Sequence, residues 1–205
     1  MPTPRSKPTF APLTLDRWPD LEKLFGPRGA CGGCWCMYWR LTRPEFAAGQ
    51  GAGNRRAFRR LVGSGVVPGI LAYMGGEPAG WCAIEPRAAY PRLARSRILA
   101  PVDDAPVWSI ACFFIARQYR KQGLSVELLE AAARHARAAG ARIIEGYPIE
   151  SGQGSVPAAF AWTGLTGAFR AAGFVEVARR SARQPVMRRE LQSARRSRRR
   201  QPAKA

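Results

Sequence analysis

A short cationic turn near the middle of the sequence has the composition of an anion-binding site. It contains Arg120, Lys121, Gln122, Gly123, Leu124 and Ser125. A glycine in a loop that opens a helix lets several backbone N–H groups point at one place, and the helix N-terminus adds partial positive charge there. The pattern R-x-x-G-x-small is neither a P-loop nor a dinucleotide-binding fingerprint. It indicates phosphate binding, and an ordinary strand–helix turn with surface cations stays open as the alternative.

The segments on either side of this turn must position it. Residues 107–115 form an apolar run that is too short to span a membrane and has the length of a buried strand. One apolar helical face after the turn is predicted by the spacing of Val126, Leu129, Ala133 and Ala136. Gly140 is placed to end that helix, and residues 141–144 form a second apolar strand. A strand–helix–strand unit of this kind predicts two parallel, neighbouring strands.

This arrangement resembles the GNAT superfamily of acyltransferases, in which a strand leads into R-x-x-G-x-G/A and an amphipathic helix. Residues 168–174 resemble the second family motif, a helix that ends in Y/F-x-x-x-G-F, and residues 175–178 and 185–188 fit the closing strands. The resemblance covers roughly residues 10 to 190. Two positions depart from the pattern: Ser125 replaces the usual Gly or Ala, and Phe169 replaces a Tyr that protonates the leaving thiolate. A Phe side chain cannot donate a proton.

The resemblance implies a fold, an activity and a set of coenzyme contacts. The fold would be α/β (α+β), with a mixed central sheet whose strands splay apart at the centre and are flanked by helices. The activity would be transfer of an acetyl group from acetyl-CoA to a primary amine by direct attack. The backbone of Phe113, Phe114 and Ile115 would pair with the pantetheine arm. The pyrophosphate would be held by the amides of Lys121, Gln122, Gly123, Leu124, Ser125 and Val126, with Arg120 adding a charge-assisted bond. Phe169 would point at the coenzyme's sulfur.

The sequence offers several candidates for the groups that transfer protons. Glu85 ends the predicted hairpin before the central strand, and Glu145 ends the second central strand. Either carboxylate could take a proton from the amine directly or through water, although a carboxylate at a strand end is often a solvated surface group. Tyr147 is the candidate to replace the missing hydroxyl donor.

A cysteine-rich and aromatic stretch follows the first predicted helix. Cys31, Cys34 and Cys36 fall within six residues in a Gly-rich turn. A structural zinc site needs a fourth ligand, and the sequence offers one His, His135, in the central helix. Small buried thiols, a nucleophilic thiol and a functional turn are the other interpretations. We predict no metal site and a substrate pocket lined by Trp35, Met37, Tyr38 and Trp39.

The remaining sequence predicts further elements around these residues. Helices are expected over residues 15–25 and 54–62, and a hairpin is expected with strands 70–73 and 79–84. Residues 86–106 read as a long polar loop, and residues 149–161 as an inserted loop before the second-motif helix.

Length, composition and charge indicate how the chain is organised. The 205 residues predict one domain, with a flexible N-terminus over 1–12, an acetyltransferase domain over 13–191 and a basic disordered tail over 192–205. The formal charge is +19, and residues 195–200 are mostly Arg. Coding bias in a GC-rich genome explains the charge without function, while a basic surface would also attract nucleic acid non-specifically.

The expected surroundings follow from what the sequence contains. The first twelve residues carry no apolar core typical of a secretory signal, and no run reaches membrane length. The five Cys residues show no disulfide framework, so a reducing cytoplasm is the expected compartment. The expected partners are acetyl-CoA and an amine acceptor; a homodimer stays open. The alternative class is a CoA-binding protein with weak catalysis, or an RNA- or ribosome-associated basic module.

Overall fold

A seven-stranded mixed sheet organises the chain, in the order β1-β2-β3-β4-β5-β7-β6. The structure is a computed structural model that describes residues 6–150 and 162–192. The strands are β1 (Thr9–Pro12), β2 (Gly69–Met74), β3 (Glu77–Pro86), β4 (Trp108–Ile115), β5 (Ile143–Gly146), β6 (Val175–Arg179) and β7 (Pro185–Glu190). Only the β4–β5 pair is parallel among these strands, which confirms the predicted strand–helix–strand unit.

Helices cover both faces of the sheet, so the predicted α/β (α+β) class is confirmed. They are α1 (Trp18–Phe25), α2 (Arg43–Ala48), α3 (Ala52–Gly63), α4 (Pro91–Ala94), α5 (Leu124–Ala138) and α6 (Thr166–Ala171). The apolar face of α5 packs on one side of the sheet, while α1 and α3 pack on the other. In the described ranges, no helix has the length and apolar character needed to cross a membrane.

Two glycine-containing turns fix the geometry that the sequence predicted. The hairpin between β2 and β3 turns at Gly75 and Gly76, whose φ angles of 58° and 83° suit a type I′ turn. Gly140 lies just after α5 with φ 91°, in the left-handed conformation that commonly ends a helix. The predicted end of the central helix is therefore confirmed.

The N-terminal segment is more ordered than predicted. We expected residues 1–12 to be flexible, but Thr9–Pro12 form β1, which pairs antiparallel with β2 through contacts such as Phe10 opposite Ala72. The edge of β2 offers unpaired backbone groups, and the Phe10 ring packs against the main core cluster. These two gains order a stretch whose composition alone indicated a flexible arm.

The segment predicted as a long polar loop, residues 86–106, also contains structure. It forms a 3₁₀ turn at Arg87–Ala89 and the short helix α4, and it buries Tyr90, Leu93 and Leu99. These side chains build a third core cluster over the sheet. The sequence prediction also missed α2, which begins with a capping box between Thr42 and Glu45.

Candidate active site

The two central strands separate part-way along the sheet and leave a gap. β4 pairs with β5 at only three positions, the last joining Ile110 to Gly146, where β5 ends. β4 continues to Ile115, so its edge facing β5 is open over five further residues. In the described part of the chain, one backbone contact fills this edge: the Phe113 N–H donates to the Trp162 carbonyl at 2.7 Å. An open strand edge of this kind can pair with an extended ligand.

The turn at the far end of β4 presents a row of unused amides. Gly123 lies at the N-cap of α5 with φ 80°, and Lys121 has φ 59°. No side chain within residues 6–150 and 162–192 caps the helix. The five amides of residues 121–125 donate to no described residue. Because these amides adjoin the positive end of a fifteen-residue helix, they form a concave site suited to phosphate oxygens.

The side chains of this turn hold it against the strand. Arg120 Nε donates to the Ile115 carbonyl at 2.9 Å, and Gln122 Nε2 donates to the Gln118 carbonyl at 2.7 Å. The Val126 amide donates to the Gly123 carbonyl at 3.0 Å, so it is already used, in contrast to the prediction that it faces the phosphate. The amides available to an anion are therefore those from Lys121 to Ser125, and Lys121 itself is exposed.

A row of polar side chains crosses the sheet at the closed end of the gap. Glu85, Ser109, Glu145 and Arg188 lie opposite one another on β3, β4, β5 and β7, so all four share one face. All four are buried. This row places both predicted carboxylates beside the point where the central strands separate.

Both carboxylate oxygens of Glu145 already accept hydrogen bonds. It accepts from Arg87 Nη1 at 2.7 Å, from Arg188 Nε at 2.7 Å and from the Tyr147 hydroxyl at 2.6 Å. Only 1% of its side chain is exposed. Two guanidiniums and a hydroxyl therefore enclose this carboxylate and keep an amine away from its oxygens. The geometry therefore favours a structural role for Glu145 over the predicted role as a base.

Tyr147 belongs to the same buried network. Its hydroxyl also contacts Ser109 Oγ at 2.9 Å and Arg87 Nη1 at 2.5 Å, and the residue has no exposed surface. Burial, reinforced by the neighbouring Glu145 carboxylate, raises the pKa of Tyr147 well above its usual range. The hydroxyl is therefore enclosed and a weak acid, which does not fit the predicted donor role.

Glu85 is the predicted base that the geometry suits best. Among the described residues its one ion-pair partner is Arg40, and burial raises the pKa of its carboxyl group while Arg40 opposes that rise. A raised carboxyl pKa moves a group toward the range in which general bases work near neutral pH. Glu85 lies opposite Ser109 in the polar row, next to the point where the gap between β4 and β5 begins.

Three aromatic side chains form a wall beside the open edge of β4. Trp162 lies 5.3 Å from Tyr38 and 5.8 Å from Trp39, measured between ring centroids, and Tyr38 lies 4.9 Å from Trp39. Arg92 stabilises this aromatic wall through two contacts with Tyr38. Its Nη1 donates to the Tyr38 carbonyl at 2.9 Å, and its guanidinium carbon lies 3.9 Å from the centre of the Tyr38 ring. The Trp39 Nε1 is buried and has no partner among the described residues.

Two of the four residues predicted to line this pocket lie elsewhere. Trp35 and Met37 are buried in the core under α1, where Trp35 stacks on Trp18 with centroids 6.2 Å apart. The chain turns sharply there, because Trp35 and Cys36 both have positive φ angles, 43° and 55°. Only Tyr38 and Trp39 therefore reach the wall, and the correction follows from this backbone turn.

Phe169 is also part of the core. It has no exposed surface, and its ring lies 4.8 Å from that of Phe174. A side chain at Gly146 or Gly164 would collide with this ring, so Phe169 closes the end of β5 against the backbone. The predicted contact with the coenzyme's sulfur is not what the structure shows, because the ring faces away from any open surface.

Three of the five cysteines pack in the core as small apolar groups, while Cys31 and Cys34 are partly exposed. Cys36, Cys82 and Cys112 are buried, and Cys36 Sγ accepts from Trp81 Nε1 at 3.0 Å. Within residues 6–150 and 162–192, no group of three or more His, Cys, Asp or Glu side chains could hold a metal ion.

Comparison with known proteins decides the family. A family model described as "Acetyltransferase (GNAT) family" matches residues 35–157, more than half of the chain. The chain belongs to the GNAT acetyltransferase family. It is therefore an acyltransferase. No curated protein gives a significant match to the chain.

Solved structures agree with the GNAT fold at low sequence identity. A GNAT-family acetyltransferase from Listeria monocytogenes is 12% identical, with 91% of this chain and 96% of that chain covered and a TM-score of 0.56. An N-acetyltransferase from Staphylococcus aureus is 10% identical, with coverage of 91% and 100% and a TM-score of 0.51. The PaiA N-acetyltransferase from Thermoplasma acidophilum, in complex with coenzyme A, is 10% identical, with coverage of 90% and 99% and a TM-score of 0.50.

Several residues of this GNAT site were not found from the sequence. Trp162 lies just after the predicted insertion, most of which falls outside the described residues. Arg40, Arg87 and Arg188 looked like ordinary members of an Arg-rich chain. Trp162 and these three guanidiniums contact residues that are far away in sequence. No local pattern therefore marks them as part of the site.

Proposed function

We propose that this GNAT protein transfers an acetyl group from acetyl-CoA to a primary amine by direct attack. The observation that carries the proposal is the row of five unused amides at the start of α5, next to the open edge of β4. Phosphate oxygens suit the amide row, and an extended pantetheine arm suits the strand edge. The PaiA relative of the same fold, which was solved with coenzyme A, supports this choice of ligand.

The reaction would take place where β4 and β5 separate. The amine nitrogen attacks the thioester carbonyl, a C–N bond forms, and the C–S bond breaks with the electron pair leaving on sulfur. Glu85 receives the proton that the amine loses, directly or through water. Backbone N–H groups of β4 beyond Ile110, with which β5 does not pair, would stabilise the developing oxyanion.

The coenzyme site is tested by substitution at the two left-handed glycines that bound α5. Gly123→Val adds a branched side chain and backbone strain at the amide row, and we expect the affinity for CoA to fall at least tenfold. Gly140→Val imposes the same kind of strain at the opposite end of the helix, where a new Cβ meets open space. Calorimetry should show nearly unchanged CoA affinity for this control. Equal affinity of the two variants would contradict the phosphate assignment.

The acyl-transfer step is tested separately. A panel of primary amines is incubated with acetyl-CoA, and the thiol released is measured. We expect Glu85→Gln to lower turnover at least tenfold with the most reactive amine while the CoA dissociation constant stays within twofold. Unchanged turnover would remove Glu85 as the base and leave the coenzyme site intact.

A further inference from the structure

The only described backbone contact in the gap belongs to a residue that is also part of the aromatic wall. Trp162 uses its carbonyl to accept from the Phe113 N–H at 2.7 Å and its ring to cover Tyr38 and Trp39. The other side of the wall is fixed to α4, since the Arg92 guanidinium and the Arg92 N–H donate to the carbonyls of Tyr38 and Trp39. Trp162 is thus the member of the wall that is attached to the strand edge.

The Phe113 amide can serve one strong acceptor at a time. An extended arm that pairs with β4 between Ala111 and Ile115 needs this N–H, which lies in the middle of the open edge. The Trp162 carbonyl must then leave it. Because the carbonyl and the ring belong to one residue, displacement of the backbone also draws the ring from Tyr38 and Trp39.

The residue left behind has an unused donor. Trp39 Nε1 is buried and has no partner in the described part of the chain, and a buried unpaired donor is unfavourable. Withdrawal of Trp162 would open the side of the wall on which it lies and expose a polar group flanked by aromatic surface. An amine that carries a carbonyl or carboxylate oxygen could hydrogen-bond to this donor.

We propose that Trp162 and the coenzyme compete for the Phe113 amide, so that binding of acetyl-CoA opens the acceptor pocket at Tyr38 and Trp39. The inference rests on the proposed function, because it needs a coenzyme arm on β4. It assigns the acceptor class as an amine with an adjacent oxygen acceptor.

The competition is tested with CoA alone. Trp162→Ala removes the ring that anchors the carbonyl, so calorimetry should show CoA binding at least fivefold tighter than in the unaltered protein. Phe46→Ala is the matched control, since Phe46 packs on Tyr38 at 5.4 Å but is not part of the wall. Its CoA affinity should be unchanged.

The outcomes separate the two proposals. If the unaltered protein does not bind CoA, the proposed function fails. If it binds CoA and Trp162→Ala binds CoA with equal or lower affinity, the proposal that Trp162 competes with the coenzyme is wrong, while the proposed function stands.

A second measurement keeps the folded site intact. Acrylamide quenching of tryptophan fluorescence is compared between the unaltered chain, which has six Trp residues, and Trp162→Phe. The difference reports Trp162, and we expect its quenching to at least double when CoA is added. Unchanged quenching at saturating CoA would mean that the ring stays on the wall, which would overturn the inference.

Discussion

Replacement of Glu145 by Gln tests whether this carboxylate stabilises the sheet or takes part in the chemistry. The side chain is 1% exposed and accepts three short hydrogen bonds, two of them from Arg87 and Arg188. A glutamine keeps the shape but removes the charge and turns an NH₂ toward one of the guanidiniums. Breaking a buried ion pair from one side costs about 3–5 kcal/mol. Since folded domains are stable by about 5–15 kcal/mol, this is roughly a fifth of the total or more.

Urea denaturation provides the assay. With a slope of about 2 kcal/mol per molar urea, a loss of about 4 kcal/mol lowers the unfolding midpoint by about 2 M. Glu150→Gln is the control, because Glu150 also accepts from two arginines, Arg170 and Arg179, and from a threonine hydroxyl, but lies near the surface. Water and salt screen that group, so its midpoint should change little.

The opposite result would assign Glu145 to the chemistry. If Glu145→Gln unfolds at the midpoint of the unaltered protein and loses a hundredfold in acetyl transfer, the carboxylate is the base that the sequence first suggested. In that case Glu85→Gln should retain most of its turnover. Comparison of the two substitutions therefore shows which of the two carboxylates is the base.

Three further predictions concern a core residue, the central helix and the C-terminal residues. Phe169→Tyr places a hydroxyl in a sealed part of the core, so we expect a loss of about 1–3 kcal/mol in thermal or urea unfolding; an unchanged stability with faster turnover would show that the ring reaches the coenzyme. Burial lowers the pKa of His135, so protonation favours the unfolded chain, and stability is complete above the usual pKa of about 6.5 and falls as the pH drops below it. His135→Gln should flatten the melting temperature between pH 7 and 5, and an unchanged slope would assign it to other groups. Deletion of residues 192–205 should leave melting temperature and turnover unchanged but weaken any RNA binding, with a shallower salt dependence; loss of folding would show that these residues are structural.

The parts predicted correctly from the sequence are those that depend on neighbours along the chain. The turn at Gly123 and the end of α5 at Gly140 follow from local backbone chemistry. The parallel pair β4 and β5 follows from the order of the elements. Periodicity and turn residues act over a few positions, so one sequence suffices to read them.

The parts that were missed depend on contacts between distant residues. Arg87 and Arg188 meet Glu145 across 58 and 43 positions of the chain, and no local pattern marks them among the many arginines. The aromatic stretch at Trp35 was predicted to line one pocket, but positive φ angles turn Trp35 into the core while Tyr38 stays at the gap. A side chain's direction after such a turn cannot be read from residue types.

The polar row across β3, β4, β5 and β7 also determines which sheet can form. β5 is only four residues long and meets β4 at three positions, so its backbone pairing alone distinguishes poorly between neighbouring alignments. A slip by one residue would turn Glu145 toward the alanines of α5 and place Ile144 against Arg87 and Arg188. Such a misaligned sheet would bury the Glu145 carboxylate without a cationic partner and would separate Arg87 and Arg188 from the carboxylate that they share. The ion network thus favours the one alignment of the two central strands that leaves the gap between them.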